Sequence, residues 1–186
     1  MADFMRECLE TIEDEGGYTL HKVAGDAGGE TFAGIAKNYH PDWPGWALIY
    51  AGKADTRECR DLVHEFYKEK FWDPMKGDEI CHQAVARTIY NFGMNSSVRN
   101  SVMYAQYCVD VIPDGIMGPV TLGALNALNG LEVELFVSQH ALMRLGHRLK
   151  RITDRRGQVK FIRGWMKRDL EELERFININ HYFGIK

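Results

Sequence analysis

Two carboxylic acids and a hydroxyl lie near the start of the chain in a pattern suited to acid–base chemistry. Glu15 precedes Gly16 and Gly17, which leave the backbone open to a ligand, and Asp26 and then Thr31 follow within sixteen positions. A carboxylic acid at a helix C-terminus can serve as a general acid, because burial and the helix carbonyls favour its protonated form. A second carboxylate can then aim or deprotonate a water molecule. Hydrolysis of a glycosidic bond requires this pair of roles.

The elements that position these groups are predicted by the spacing of apolar residues. Residues 2–14 have apolar side chains at helical spacing, which predicts an amphipathic helix ended by Gly16 and Gly17. The glycine-rich stretch 18–35 predicts a small β-hairpin lobe. The expected fold class is mainly α, an α+β chain with this early lobe and a helical C-terminal region. Helical patterns occur at about 56–72, 80–93, 98–109, 119–128, 131–152 and 158–178.

Composition restricts the class of protein. A chain of 186 residues with 45% hydrophobic and 26% charged residues indicates a compact globular protein. Residues 1–17 are acidic and lack the parts of a signal peptide, and no apolar run reaches the roughly 18–20 residues needed to cross a bilayer. Four widely spaced cysteines predict buried free thiols, and the scattered histidines predict no metal site. No cofactor is expected.

The formal charge of −3 is unevenly distributed along the chain. Residues 1–80 carry −8, residues 81–139 carry −2 and residues 140–186 carry +7. Eight of the basic residues lie between positions 144 and 163, which is typical of a solvated helix face. The alternative is that this basic run attracts an anionic polymer. The run consists of Arg144, Arg148, Lys150, Arg151, Arg155, Arg156, Lys160 and Arg163.

The first 35 residues resemble a known family. Residues 15–18 and 26–35 match in order the pattern EGGY…D-x-GG-x-T-x-x-GI of the glycoside hydrolase family 108 N-acetylmuramidases, which include phage endolysins. The segment is also similar to the lysozymes of T-even phages, in which a helix-end Glu is followed by an Asp and, five residues later, a Thr. The Glu-to-Asp gap is longer here. Asp26 and Glu30 therefore both remain candidates for the second carboxylate.

Later segments extend the resemblance over nearly the whole chain. Residues 86–93 resemble the family's groove-lining helix and include Asn91, while residues 104–106 and 114–121 resemble the peptidoglycan-binding region that commonly follows. The resemblance implies a lysozyme-like catalytic domain over 1–95, with a helical peptidoglycan-binding region over 96–186 packed on it. It implies four substrate contacts, at Tyr18, Glu30, Asn91 and Asp114.

The activity implied by the resemblance is hydrolysis of the β-1,4 bond between N-acetylmuramic acid and N-acetylglucosamine in bacterial peptidoglycan, leading to cell lysis. Glu15 would donate the proton, and Asp26, helped by Thr31, would activate water. Carboxyl groups about 6.5–9.5 Å apart would give inversion of configuration, and carboxyl groups about 5–5.5 Å apart would give retention. The likeness to phage lysozymes favours inversion.

The expected partner is the peptidoglycan glycan strand, bound by a monomer without nucleic acid or membrane insertion. The expected location is the host cytoplasm, with release to the periplasm or wall by a holin or exporter.

Alternative functions and structural roles remain open at this point. A lytic transglycosylase would use the same Glu without water, and a non-catalytic peptidoglycan-binding protein would use only the later segments. Asp114 and Gly115 could form a plain turn. Trp43 and Trp46 could stack on sugar rings, although core packing is slightly favoured.

Overall fold

The computed structural model describes residues 1–22, 28–154 and 156–174, and these residues belong to two compact units. One unit is Asp3–Asp73, and the other combines Met1–Ala2 with Pro74–Lys186. The predicted domain boundary after residue 95 lies inside the second unit, at the end of a helix that packs against the helices following it.

The first unit, Asp3–Asp73, combines helices with a three-stranded antiparallel sheet. The strands follow one another in the sheet, and His21 pairs with Thr31, which in turn pairs with Ala36. Its elements are α1 (Phe4–Asp14), β1 (Leu20–Lys22), β2 (Glu30–Phe32), β3 (Ile35–Ala36), α2 (Gly45–Tyr50), α3 (Arg57–Tyr67) and a π-helical turn (Lys68–Trp72). A mainly α fold with a small early β-lobe is thereby confirmed.

Helix α1 forms where its apolar spacing predicted it. Phe4, Cys8 and Ile12 recur at four-residue steps and are buried, so one face of the helix enters the core. The Asp3 carboxylate caps the first turn by accepting a hydrogen bond from the Met5 amide at 2.9 Å. Phe4 packs against the buried ring of Trp72, with ring centroids 5.5 Å apart.

Helix α2 was not expected from the sequence, because the residues before it have the composition of a turn. Pro44 precedes the helix with a helical φ of −64°. Trp43 and Trp46 are both buried, and their indole NH groups donate to the carbonyls of Leu62 and His40. The two tryptophans are therefore core residues, as the favoured expectation from the sequence had it.

The second unit is helical in its described part. Its central helix α4 packs against α5 and α7, and α7 packs against α8. The helices are α4 (Gln83–Asn95), α5 (Val98–Cys108), α6 (Pro119–Ala127), α7 (Gly130–Asp154) and α8 (Ile162–Glu174), with 3₁₀ turns at Asp73–Met75, Gly77–Glu79 and Arg156–Phe161. Their bounds lie close to the predicted ones, because the apolar spacing already identified the buried faces.

Two arginines of the basic run are buried, so a solvated face is the wrong description for them. Arg148 Nη2 lies 3.0 Å and Arg144 Nε 3.5 Å from Oδ1 of Asp169 on α8. All three side chains are nearly inaccessible. This pairing joins α7 to α8, and a buried charge needs such a partner because desolvation is costly. Arg155 lies outside the described residues.

Cysteine burial is confirmed only in part. Cys8 and Cys59 are buried, whereas Cys81 is exposed and Cys108 is half-buried, and all four are free thiols. Burial raises the pKa of Cys8 to about 12.

Among the described residues no helix is both long and apolar enough to span a bilayer, and no cluster of three or more His, Cys, Asp or Glu could hold a metal ion.

Candidate active site

Glu15 lies at the end of α1, where two glycines stop the helix. Gly16 and Gly17 have left-handed φ angles of +92° and +74°, and the Gly17 amide donates to the Ile12 carbonyl at 2.8 Å. The Glu15 side chain is exposed. Its carboxylate makes no hydrogen bond or ion pair within the described part of the chain. The helix end thus presents an acid with its hydrogen-bonding capacity unused, although the burial expected from the sequence is not observed.

The stem of Glu15 is backed by a tight contact between the β2–β3 turn and α3. A β-carbon built on Gly34 would overlap the Tyr67 hydroxyl and lie 3.1 Å from Glu15 Cγ. Tyr67 is buried and donates to the Ala33 carbonyl at 2.8 Å. Burial, and then the charge of Glu15, raise the pKa of Tyr67. The absence of a side chain at Gly34 therefore lets α1, α3 and the sheet meet beside the carboxylate.

Thr31 and a histidine that the sequence did not indicate share one face of the sheet. Thr31 is half-buried and lies directly opposite His21, so their side chains project from the same face. A β-carbon on Gly16 would lie 3.3 Å from His21 Nε2. The imidazole therefore reaches the residue that follows Glu15. Asp26, the predicted second carboxylate, lies in the segment 23–27 outside the described residues.

Glu30, the alternative second carboxylate, is held by other side chains. It accepts a hydrogen bond from the Tyr50 hydroxyl at 2.5 Å and lies 3.8 Å from Lys37 Nζ. This hydrogen bond, followed by the charges of Lys22 and Lys37, lowers the pKa of Glu30. Since successive strand residues point to opposite faces, Glu30 projects from the face opposite Thr31.

Tyr18, a predicted substrate contact, is anchored within its own unit. Its hydroxyl lies 2.6 Å from Nε2 of His64 on α3, and the Arg60 guanidinium lies 5.1 Å from its ring centroid. Burial is the main cause that raises the pKa of Tyr18 and lowers that of His64. The ring is half-buried, so part of it remains accessible beside the glycine turn.

The other two predicted substrate contacts lie in the second unit. Asn91 is half-buried on α4, and its carbonyl accepts a hydrogen bond from the Asn95 side chain at 2.8 Å. Asp114 is exposed, but its carboxylate accepts hydrogen bonds from Gln106 Nε2 and from the Ile116 amide, each at 2.8 Å. The first of these bonds, followed by the second, lowers the pKa of Asp114.

Buried Gln106 organises the turn that contains Asp114. Besides its bond to Asp114, its amide group donates to the Ile116 carbonyl and the Thr121 hydroxyl, each at 3.0 Å, and its Oε1 accepts from the Gly115 amide at 2.8 Å. Every polar atom of this side chain is therefore used inside the protein. The structure supports the plain-turn alternative for Asp114 more directly than a role in glycan binding.

Comparison with known proteins agrees with this architecture. Residues 8–96 match the family model of glycosyl hydrolase 108, and residues 99–170 match that of a predicted peptidoglycan domain. Among solved structures, SagA of Brucella abortus is similar at a TM-score of 0.65, with 22% identity over 92% of each chain, a likeness that concerns the fold. No functionally curated protein matches the sequence. The chain therefore contains a glycosyl hydrolase 108 region followed by a peptidoglycan-binding domain, and it is a peptidoglycan-hydrolysing, lysozyme-like enzyme.

Proposed function

We propose that the protein is an N-acetylmuramidase in which Glu15 is the general acid. The observation that carries this proposal is the glycine turn at the end of α1, which exposes the Glu15 carboxyl without an internal partner while Gly34 and Tyr67 support its stem. An acid fixed in position but free at its oxygens can approach a glycosidic oxygen. The sheet face bearing Thr31 and His21 lies beside the same turn and supplies polar groups for the sugar or for water.

The proposed reaction cleaves the bond between N-acetylmuramic acid C1 and the oxygen of the next N-acetylglucosamine. Glu15 gives its proton to that oxygen, water adds hydroxide to C1, and Asp26 takes the remaining proton of the water. Asp26 is preferred over Glu30, because Glu30 is already bound to Tyr50 and Lys37 and projects from the sheet face opposite Thr31. With water on the face opposite the leaving group, the product has inverted configuration.

The general acid is tested by digesting purified sacculi and weighing the fragments. Wild type should release reducing muropeptides that contain one added water. Glu15→Gln should release at least about 10²-fold less, because a positioned general acid contributes about 10²–10⁴-fold. Glu13→Gln, which changes an exposed acid of the same helix end, is the matched control. Fragments that have lost water would instead identify a lytic transglycosylase, and an active Glu15→Gln enzyme would refute the assignment of the acid.

The second carboxylate is tested by a pair of amide substitutions. Asp26→Asn should strongly reduce hydrolysis, whereas Glu30→Gln should retain most of it, because Glu30 is occupied by the Tyr50 and Lys37 contacts. The configuration of the first-formed sugar, followed by NMR, should be opposite to that of the substrate. A severe defect in Glu30→Gln alone, with Asp26→Asn fully active, would reverse the assignment.

The biological role that we propose is lysis of a bacterial host from within, as in phage endolysins. The enzyme would be held in the cytoplasm and gain access to the wall through a holin or an exporter. Support comes from the peptidoglycan-directed family match. Expression in bacteria should cause lysis only when a holin or an exporter is supplied and Glu15 is intact. Lysis by the enzyme without either would contradict this route.

A further inference from the structure

A second concave site lies in the first unit, away from Glu15. It is a pocket of about 540 Å³ formed by residues 39–44 and by one side of α3 and the π-helical turn within 62–70. Its volume is within the range of small-molecule sites, about 300–1,000 Å³. Among the described residues, no hydrogen bond, ion pair or ring contact joins its lining to Glu15 or Thr31.

Helix α3 separates the pocket from the candidate active site. Leu62, Glu65 and Phe66 follow one side of the helix at three- and four-residue spacing, and Glu69 continues that side into the π-helical turn. Tyr67 is rotated from Phe66 by about 100° around the helix. It points to the Ala33 carbonyl and Gly34 beside Glu15. The two sites therefore use different sides of the same helix.

Aromatic rings form the apolar part of the pocket. Tyr39 is 65% exposed, and the buried Trp43 also belongs to the lining. His40 meets Phe66 edge-on at 4.7 Å between ring centroids. Burial, followed by the charge of Lys70, lowers the pKa of His40.

Three carboxylates surround these rings without internal partners. Asp42, Glu65 and Glu69 are exposed members of the lining, and none makes a side-chain hydrogen bond or ion pair with the residues that the structure describes. Glu30, by contrast, is fully engaged by Tyr50 and Lys37. Because Lys70 is the only Lys or Arg in this described lining, the pocket is net negative and rich in unused acceptors.

We propose that this pocket is a second glycan-binding site, which takes an uncharged N-acetylhexosamine unit such as N-acetylglucosamine. Aromatic rings stack on the apolar face of a pyranose, and the carboxylates accept hydrogen bonds from its hydroxyl and amide groups. The negative lining repels a sugar that carries a carboxylate, so it selects the N-acetylglucosamine positions of a strand over the muramic acid positions. The assignment of the ligand class rests on the glycan substrate proposed above. A pocket on the far side of α3 would hold the strand while Glu15 cuts elsewhere.

The test uses the full chain with Glu15→Gln, so that no sugar is hydrolysed, and an N-acetylglucosamine trimer as probe. Amide NMR shifts should change saturably in residues 39–44 and 62–70. Adding Tyr39→Ala should weaken this binding about fivefold, because an aromatic contact is worth roughly 0.5–1.5 kcal/mol. Tyr107→Ala, which removes a 53% exposed tyrosine from α5, should leave it unchanged.

Three outcomes would overturn the inference. These are no shifts in the two segments, shifts that Tyr39→Ala leaves unaltered, or stronger binding by a lysine-containing peptide than by the trimer, which would make the pocket an ammonium site. Digestion of sacculi by wild type is measured separately. Normal digestion without pocket shifts refutes only the second site, whereas pocket shifts without digestion refute only the proposed hydrolysis.

Discussion

Two acid–glycine turns, one in each compact unit, show how similar sequences reach different roles. Glu15–Gly16 and Asp114–Gly115 each place an exposed acid before a left-handed glycine, with φ of +92° and +75°. The Glu15 carboxylate has no partner in the described residues, whereas that of Asp114 is used by Gln106 and the Ile116 amide. An acid that holds its own turn together contributes to folding, and one that is left unbonded is available to a substrate.

The largest expected effect separates the two acids by activity and stability. Glu15→Gln should lower kcat by about 10²–10⁴-fold and change Tm by less than about 2 °C. Asp114→Asn should show the reverse pattern, with a lower Tm and little change in kcat. The reason is that an amide is a poorer hydrogen-bond acceptor than a carboxylate for Gln106 and Ile116. Turbidity loss of a sacculus suspension and calorimetry measure the two quantities. Equal losses of activity in both variants would remove the distinction.

Gly34→Ala should affect both activity and stability, because Gly34 has a left-handed φ of +79° and no space for a β-carbon. The added methyl would displace the Tyr67 hydroxyl and the Glu15 stem, at a cost of about 1–3 kcal/mol and of up to about 10²-fold in kcat. Gly52→Ala is the control, since Gly52 has φ +73° but nothing within 4 Å. It should lose stability only. Full activity in Gly34→Ala would show that the contact does not position Glu15.

Gln106→Ala should destabilise the second unit by about 2–3 kcal/mol, because buried partners lose their hydrogen bonds. The groups that hydrogen-bond to the Gln106 side chain belong to Asp114, Gly115, Ile116 and Thr121. The half-buried Gln139 on α7 offers a control, and Gln139→Ala should change stability by less than about 0.5 kcal/mol. Urea unfolding of both variants makes the comparison. A Gln106→Ala protein as stable as the Gln139 variant would mean that the turn does not depend on this side chain.

The smallest expected effect is a pH dependence carried by Asp114. Its pKa is lowered in the folded protein by the Gln106 and Ile116 hydrogen bonds, so its contribution is present above the unfolded value of about 3.9. It is lost as pH falls through the lower folded pKa. The Tm difference between wild type and Asp114→Asn should therefore shrink between pH 6 and pH 2. A difference that stays constant over this range would contradict the assigned hydrogen bonds.

Local features of the sequence predicted most of the helices and the position of Glu15. Apolar residues at helical spacing marked the buried face of α1, and two glycines marked its end. The helix Gly45–Tyr50 escaped prediction because Pro44 and Gly45 have turn composition, while its stability comes from the burial of Trp46 and Ile49 in the core.

Contacts between distant residues could not be predicted in this way. Tyr67 lies beside Glu15 only because α3 packs against the β2–β3 turn, and His21 reaches the Glu15 turn through its register with Thr31. A signal for Tyr67 was present in its helical spacing from Cys59 and Val63, which marks the buried face of α3. No local signal identified His21.

The sequence by itself determined the helical periodicity, the glycine turn that ends α1 and the family of the enzyme, because these depend on neighbouring residues and their order. The tertiary structure decided which polar groups are left available. Glu30 and Asp114 are engaged by Tyr50 and Gln106, and Arg148 by Asp169, whereas Glu15 has no such partner among the described residues. Hydrogen bonds and burial join residues far apart in the chain, so only the fold separates an acid that holds the structure from one that can serve catalysis.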